Sequence, residues 1–96
     1  MKCLIAIPAR MGATRFPGKP LVDLLGRPMV QWVYEAAVQS GVADRVVIAT
    51  PDQEIVDAAA AFGGEAVLTR HDHLTGTDRL AEVAEEIPAE VIINVQ

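Results

Sequence analysis

Lys2-Cys-Leu-Ile-Ala-Ile7, followed at once by Pro8 and then by Ala9-Arg-Met-Gly-Ala-Thr-Arg-Phe-Pro-Gly-Lys-Pro20, is the stretch that decides the fold. A short, unbroken apolar run of this kind reads as a strand buried on both faces, as strands of a parallel sheet are. Residues 9–20 hold two glycines, two prolines and three cations, so they form a loop. It is long for a compact α/β unit, and loops of that length are usually functional or disordered.

Outward from this point, strands and helices alternate. Leu21 to Leu25 forms a brief extended piece closed by a turn at Gly26. A helix follows, with Pro28 in its first turn, where the missing N–H costs nothing. Val30, Val33, Ala37 and Val38 recur at helical spacing and are expected to face the core, and Gly41 is placed to end the helix in a left-handed conformation. Arg45 to Thr50 is the second strand. Thr50-Pro-Asp-Gln53 has the pattern of a capping box, with Thr50 as N-cap of a helix that runs through Ile55, Val56, Ala59 and Phe62 to Gly63-Gly64. Residues 65–69 are a third strand and residues 70–76 a polar loop. A third helix starts near Thr77, buries Leu80, Val83, Ala84 and Ile87, and ends at Pro88. Residues 90–95 are a fourth strand, whose apolar character predicts a central place in the sheet. The whole is an α/β fold, a doubly wound and mainly parallel sheet, in one domain spanning residues 1–96.

Composition supports this reading. Half of the 96 residues are hydrophobic (51%), which excludes a disordered chain. The single cysteine, Cys3, rules out an intramolecular disulfide, fits a reducing cytoplasm, and is expected to act as a small buried hydrophobe. The first ten residues contain neither a signal peptide nor an apolar run long enough for a membrane span. Charge is unevenly placed. Residues 1–28 carry five cations against one acid, a net +4, and residues 29–96 carry three arginines against twelve acids, a net −9. A basic loop in an acidic protein points to a small anionic ligand rather than to nucleic acid.

Two segments could carry chemistry. In the first loop, Arg10, Arg15 and Lys19 flank Gly12 and Gly18. Glycines let the backbone approach an anion, arginine supplies bidentate donors and lysine a point charge. The spacing is neither that of a P-loop nor that of a dinucleotide fingerprint. The residues alone leave a phosphate grip and a plain surface loop both open. The second segment, Arg70-His-Asp-His-Leu-Thr-Gly-Thr-Asp-Arg79, joins hydroxyls and a glycine to a helix N-terminus. His71 and His73 make only half of a zinc set, so exposed histidines beside a helix capped by Thr77 are the plainer reading. Trp32 and Tyr34 sit on a helix as packing or interface residues.

Ile7-Pro-Ala-Arg-Met-Gly-Ala-Thr-Arg-Phe-Pro-Gly-Lys-Pro-Leu21 closely resembles the opening signature of the 3-deoxy-manno-octulosonate (Kdo) cytidylyltransferases. The resemblance continues through Leu25-Gly-Arg-Pro-Met29, Val47-Ile-Ala-Thr50, residues 69–79 and Ile93-Asn-Val-Gln96, in order and from end to end of the chain. It implies the Rossmann-like fold of nucleotide-diphospho-sugar transferases. It also implies an activity, the transfer of CMP from CTP to Kdo with release of pyrophosphate, which makes the activated sugar for lipopolysaccharide assembly. By position, Arg10 and Lys19 match the family's phosphate-gripping residues, with Arg15 assisting. Pro8 and Ala9 lie where the backbone meets the cytosine. Thr75, Gly76 and Thr77 match its base-recognising segment, and Gln96 opens its Gln-Gly-Asp-Glu-Pro segment. Arg70 and Arg79 also match family positions. The resemblance further implies a magnesium cofactor whose aspartate ligands lie beyond Gln96, a cytoplasmic homodimer, and a parent roughly two and a half times this length, in the range of an ordinary α/β enzyme domain. The chain is therefore expected to be the truncated front half of such an enzyme, inactive in isolation. Thr75 stands where serine is usual, Pro51 where aspartate is usual, and Met11 where tyrosine or leucine is commoner. Two further readings compete: a related nucleotidyltransferase acting on sialic acid, methylerythritol phosphate or a hexose phosphate, and a non-catalytic nucleotide-binding fragment.

Overall fold

The computed structural model of the chain describes residues 2–12, 21–69 and 76–95. Four parallel strands form its sheet: β1 (Cys3–Pro8), β4 (Arg45–Thr50), β5 (Ala66–Leu68) and β6 (Val91–Asn94). A two-stranded hairpin, β2 (Asp23–Leu24) and β3 (Arg27–Pro28), precedes helix α1 (Met29–Gln39). Helix α2 (Gln53–Ala61) joins β4 to β5, and α3 (Gly76–Glu86) joins β5 to β6. Strand order is β5-β4-β1-β6, with Ile5 opposite both Val46 and Ile93. The chain steps outward from β1 to β5 and then crosses back to the far side of β1. That reversal puts the topological switch point between β1 and β6.

The period of two in the strands assigns the two faces. Ile5, Ile7, Val46 and Ile48 point to one side and pack with Val30 and Ala37 of α1 and Ile55 and Ala59 of α2. Leu4, Ala6, Val47 and Ala49 point to the other, onto Val83 of α3 and Ile87 just after it. The runs in β1 and β4 are continuously apolar because both of their faces are covered.

Several expectations are corrected in detail. Strand β6 lies at the edge among the described strands, and β1 holds the centre; Val91 is 49% exposed. Val38 is 51% exposed, because the stripe of α1 that meets the sheet is centred on Val30 and Ala37. Cys3 is half-buried, since it opens its strand. Thr50 does not cap α2. The N-cap is Asp52, with no side-chain cap bond, and the Thr50 hydroxyl accepts the Asp52 N–H at 3.1 Å within a local turn. Gly41 takes a φ of 69° just beyond α1, as the C-terminal signal required. The β2–β3 turn holds Leu25 at a φ of 55° and Gly26 at 89°. Tyr34 packs on Phe62 with ring centroids 5.7 Å apart, while Trp32 donates from Nε1 to the Leu24 carbonyl at 2.8 Å and lies under Arg27.

Candidate functional site

Open α/β sheets bind ligands beyond the carboxyl ends of their strands, at the switch point. Here that position is the segment after β1. Pro8 and Ala9 are half-buried and Arg10 is exposed. The Ala9 N–H donates to the Ala49 carbonyl at 3.0 Å, so the chain still follows β4 for one residue after leaving the sheet. The Met11 N–H then donates to Oδ2 of Asp52 at 2.8 Å. This contact crosses 41 residues of sequence and ties the first loop to the start of α2.

The same polar chain continues across the sheet. The carbonyl of fully buried Thr50 accepts the Thr69 N–H at 2.7 Å. The Thr69 hydroxyl, also buried, accepts from Nε of Arg79 at 2.9 Å. Arg79 stands in the first turn of α3, 3% exposed, and among the described residues its Nη2 has no hydrogen-bond partner. Burial, and next the charge of Arg10, hold the Arg79 guanidinium below its ordinary pKa; Asp52 and Glu82 oppose the shift. Electrostatics thus link the far end of this chain to its beginning. Met11, Asp52, Thr50, Thr69 and Arg79 form a polar arc around the carboxyl ends of β1, β4 and β5, with Arg10 on its solvent side.

The structure brings Pro8, Ala9 and Arg10 to the switch point and starts α3 at Gly76 beside the same edge. Arg15, Lys19, Arg70, Thr75 and Gln96 lie outside the described residues, as does the His71–His73 pair. For Thr77 only the backbone, in the first turn of α3, is described. Asp52 was not foreseen as part of the site. Arg79 was singled out without a role, and its spacing held a signal. Residues 79, 83 and 87 fall on one helical stripe, and Val83 and Ile87 are core residues. An arginine in line with them starts from the buried side of the helix.

Among the described residues no group of three or more His, Cys, Asp or Glu could hold a metal ion. Asp52, the acid bonded to the loop at Met11, is engaged by a backbone amide. The described residues do not themselves make a magnesium site. No helix among the described residues is long and apolar enough to cross a membrane.

Fold and site together define an α/β protein of the doubly wound class, with Arg10 exposed at the switch point. The chain belongs to the cytidylyltransferase family, whose sequence model matches residues 4–96. It is 57% identical to the 3-deoxy-manno-octulosonate cytidylyltransferase of Photobacterium profundum, over 100% of this chain and 40% of that protein. It is 53% identical to the enzyme of the same name from Escherichia coli, over 99% of this chain and 39% of that protein. A solved structure of CMP:2-keto-3-deoxy-manno-octonic acid synthetase complexed with CTP superposes with a TM-score of 0.96 at 50% identity, covering 100% of this chain and 40% of that one. The chain therefore spans about two fifths of the length of the relatives it matches.

Proposed function

We propose that these residues form the CTP-binding part of a Kdo cytidylyltransferase, which joins CMP to Kdo and releases pyrophosphate. The observation that carries the reading is the backbone match over the whole chain, at 50% identity, to a synthetase complexed with CTP. The geometry agrees with it, since the cationic loop leaves the sheet where a doubly wound fold receives a nucleotide.

In this proposal Arg10, Arg15 and Lys19 grip the triphosphate, and the backbone at Pro8 and Ala9 meets the cytosine. Thr75, Gly76 and Thr77 read the base, with Gln96 and Arg70 completing the nucleotide pocket. The sugar hydroxyl attacks the α-phosphorus, the bond from that phosphorus to the bridging oxygen breaks, and pyrophosphate leaves. Positioned cations favour this by stabilising charge that grows on the phosphoryl oxygens. Magnesium, held by residues outside this set, a homodimeric assembly and a cytoplasmic location complete the proposal.

Calorimetric titration of the chain with CTP, UTP and ATP tests it. Binding of CTP with at least tenfold preference over the other two is expected. Equal binding of all three, or none, would overturn the assignment. Assay of the full-length protein for CMP-Kdo and pyrophosphate then tests turnover.

A further inference from the structure

The polar arc holds two charged groups whose partners are not those their helices would ordinarily supply. An aspartate at an N-cap ordinarily accepts amide hydrogens of its own helix. Asp52 makes no such bond and gives its Oδ2 to the Met11 N–H at 2.8 Å. Arg79 is a cation in the first turn of a helix, where the macrodipole is unfavourable to it. It is nevertheless buried, and one of its nitrogens lacks a hydrogen-bond partner among the described residues. Buried charge of this kind disfavours folding unless other groups compensate it.

Both placements bear on the same short piece of backbone. Asp52 grips the peptide that joins Arg10 to Met11. Arg79 is anchored on Thr69 at 2.9 Å and lies within the electrostatic reach of Arg10 and Asp52. Arg79 stands at the other end of the same hydrogen-bonded chain: its Nε donates to the Thr69 hydroxyl, the Thr69 N–H donates to the Thr50 carbonyl, and the Thr50 hydroxyl accepts the Asp52 N–H.

We propose that Asp52 and Arg79 are positioning residues of the anion site: Asp52 fixes the backbone on which Arg10 stands, and Arg79, through Thr69 and Thr50, braces the turn that presents Asp52. The inference rests on the reading that this chain binds CTP through its phosphates. It assigns the pair to the phosphate part of the ligand and not to the base.

The test compares CTP with cytidine on the 96-residue chain, by calorimetry for CTP and by chemical-shift titration for the nucleoside. Asp52→Ala is expected to weaken CTP about tenfold, the scale of a lost charge-assisted contact, and to leave cytidine within about twofold. Asp52→Asn keeps an acceptor for the Met11 amide and is expected to lose only about threefold, which also covers the case in which the alanine variant does not fold. Arg79→Met is expected to weaken CTP by a factor like that of Asp52→Ala. The double variant should be little worse than either, because residues of one network are not additive. Equal losses for CTP and cytidine, or an unchanged CTP affinity in folded Asp52→Asn and Arg79→Met, would overturn the proposal. Failure of the wild-type chain to bind CTP would overturn the functional reading itself, and this proposal with it.

Discussion

The two ends of β4 carry the same device in different settings. At the amino end, the carboxylate of Asp44 accepts the N–H groups of Lys2 and Cys3 at 3.1 and 2.9 Å. At the carboxyl end, Asp52 accepts the N–H of Met11. Each aspartate flanks β4 and clamps the neighbouring end of β1. The charges nearby differ. At the amino end Arg45 and Glu65 form an ion pair in contact with solvent, with Nε of Arg45 bonded to both carboxylate oxygens. At the carboxyl end Arg79 is buried and one of its donors has no partner among the described residues. The amino end satisfies its own groups and serves the fold. The carboxyl end, where the buried cation stands, is the end proposed to serve a ligand.

Four changes break or sharpen this contrast. The largest effect is expected at neither end. Ile48 in the middle of β4 is fully buried, and Ile48→Ala should cost about 2–5 kcal/mol of stability through the lost contacts and the cavity left behind. In a domain this small that brings the chain close to unfolding, seen as a lower midpoint in urea. It is the reference for a loss that does not distinguish the two ends.

Next in size is Asp44→Ala. Losing a charged acceptor shared by two exposed amides should cost about 1–2 kcal/mol, with CTP affinity unchanged. If this variant weakened CTP as much as Asp52→Ala, the functional contrast between the ends would collapse.

The hairpin offers a change in the other direction. Leu25 is 95% exposed in a left-handed conformation that costs a leucine about 1 kcal/mol. Asn-Gly is the favoured pair for such a turn. Leu25→Asn should therefore raise stability by up to about 1 kcal/mol, measured as a higher thermal midpoint. No effect on CTP is expected, since the strain is remote from the site.

The smallest effect belongs to Glu65→Gln. The hydrogen bond from Arg45 holds the Glu65 carboxyl below its ordinary pKa. A depressed carboxylate adds stability above the unfolded pKa, and that addition is lost as pH falls through the lower, folded value. The pair is partly exposed, so screening limits its worth to below about 1 kcal/mol. Thermal midpoints of wild type and Glu65→Gln should differ slightly at pH 7 and converge as the carboxylate range is crossed. A gap that persisted at low pH would show that the variant acts through packing.

Much of the fold was legible in the residues. Strand β4 runs from Arg45 to Thr50 as its apolar run predicts, and α3 begins one residue before the expected Thr77. Unbroken apolar runs and glycine stops are local signals, so they survive without tertiary context. The misreadings share a cause. Val38 was placed in the core because helical period alone cannot fix the angle at which a helix meets its sheet. Thr50 was taken as a cap because its alternative partner, an amide within its own turn, leaves no trace in spacing. The place of β6 beside β1 leaves no trace in spacing either, since strand order is set by pairings between distant segments.

By itself the sequence determined the class of fold, the cationic loop after the first strand and the family. Hydrophobic period and a dense local motif carry those, and both are written within short windows of the chain. Only the tertiary structure decided that Asp52 serves Met11 instead of its own helix, and that Arg79 is buried beside Thr69 within reach of Arg10. Those assignments depend on which carboxyl ends lie side by side. That order follows from the crossover of α3 to the far side of β1, which no local stretch of residues encodes.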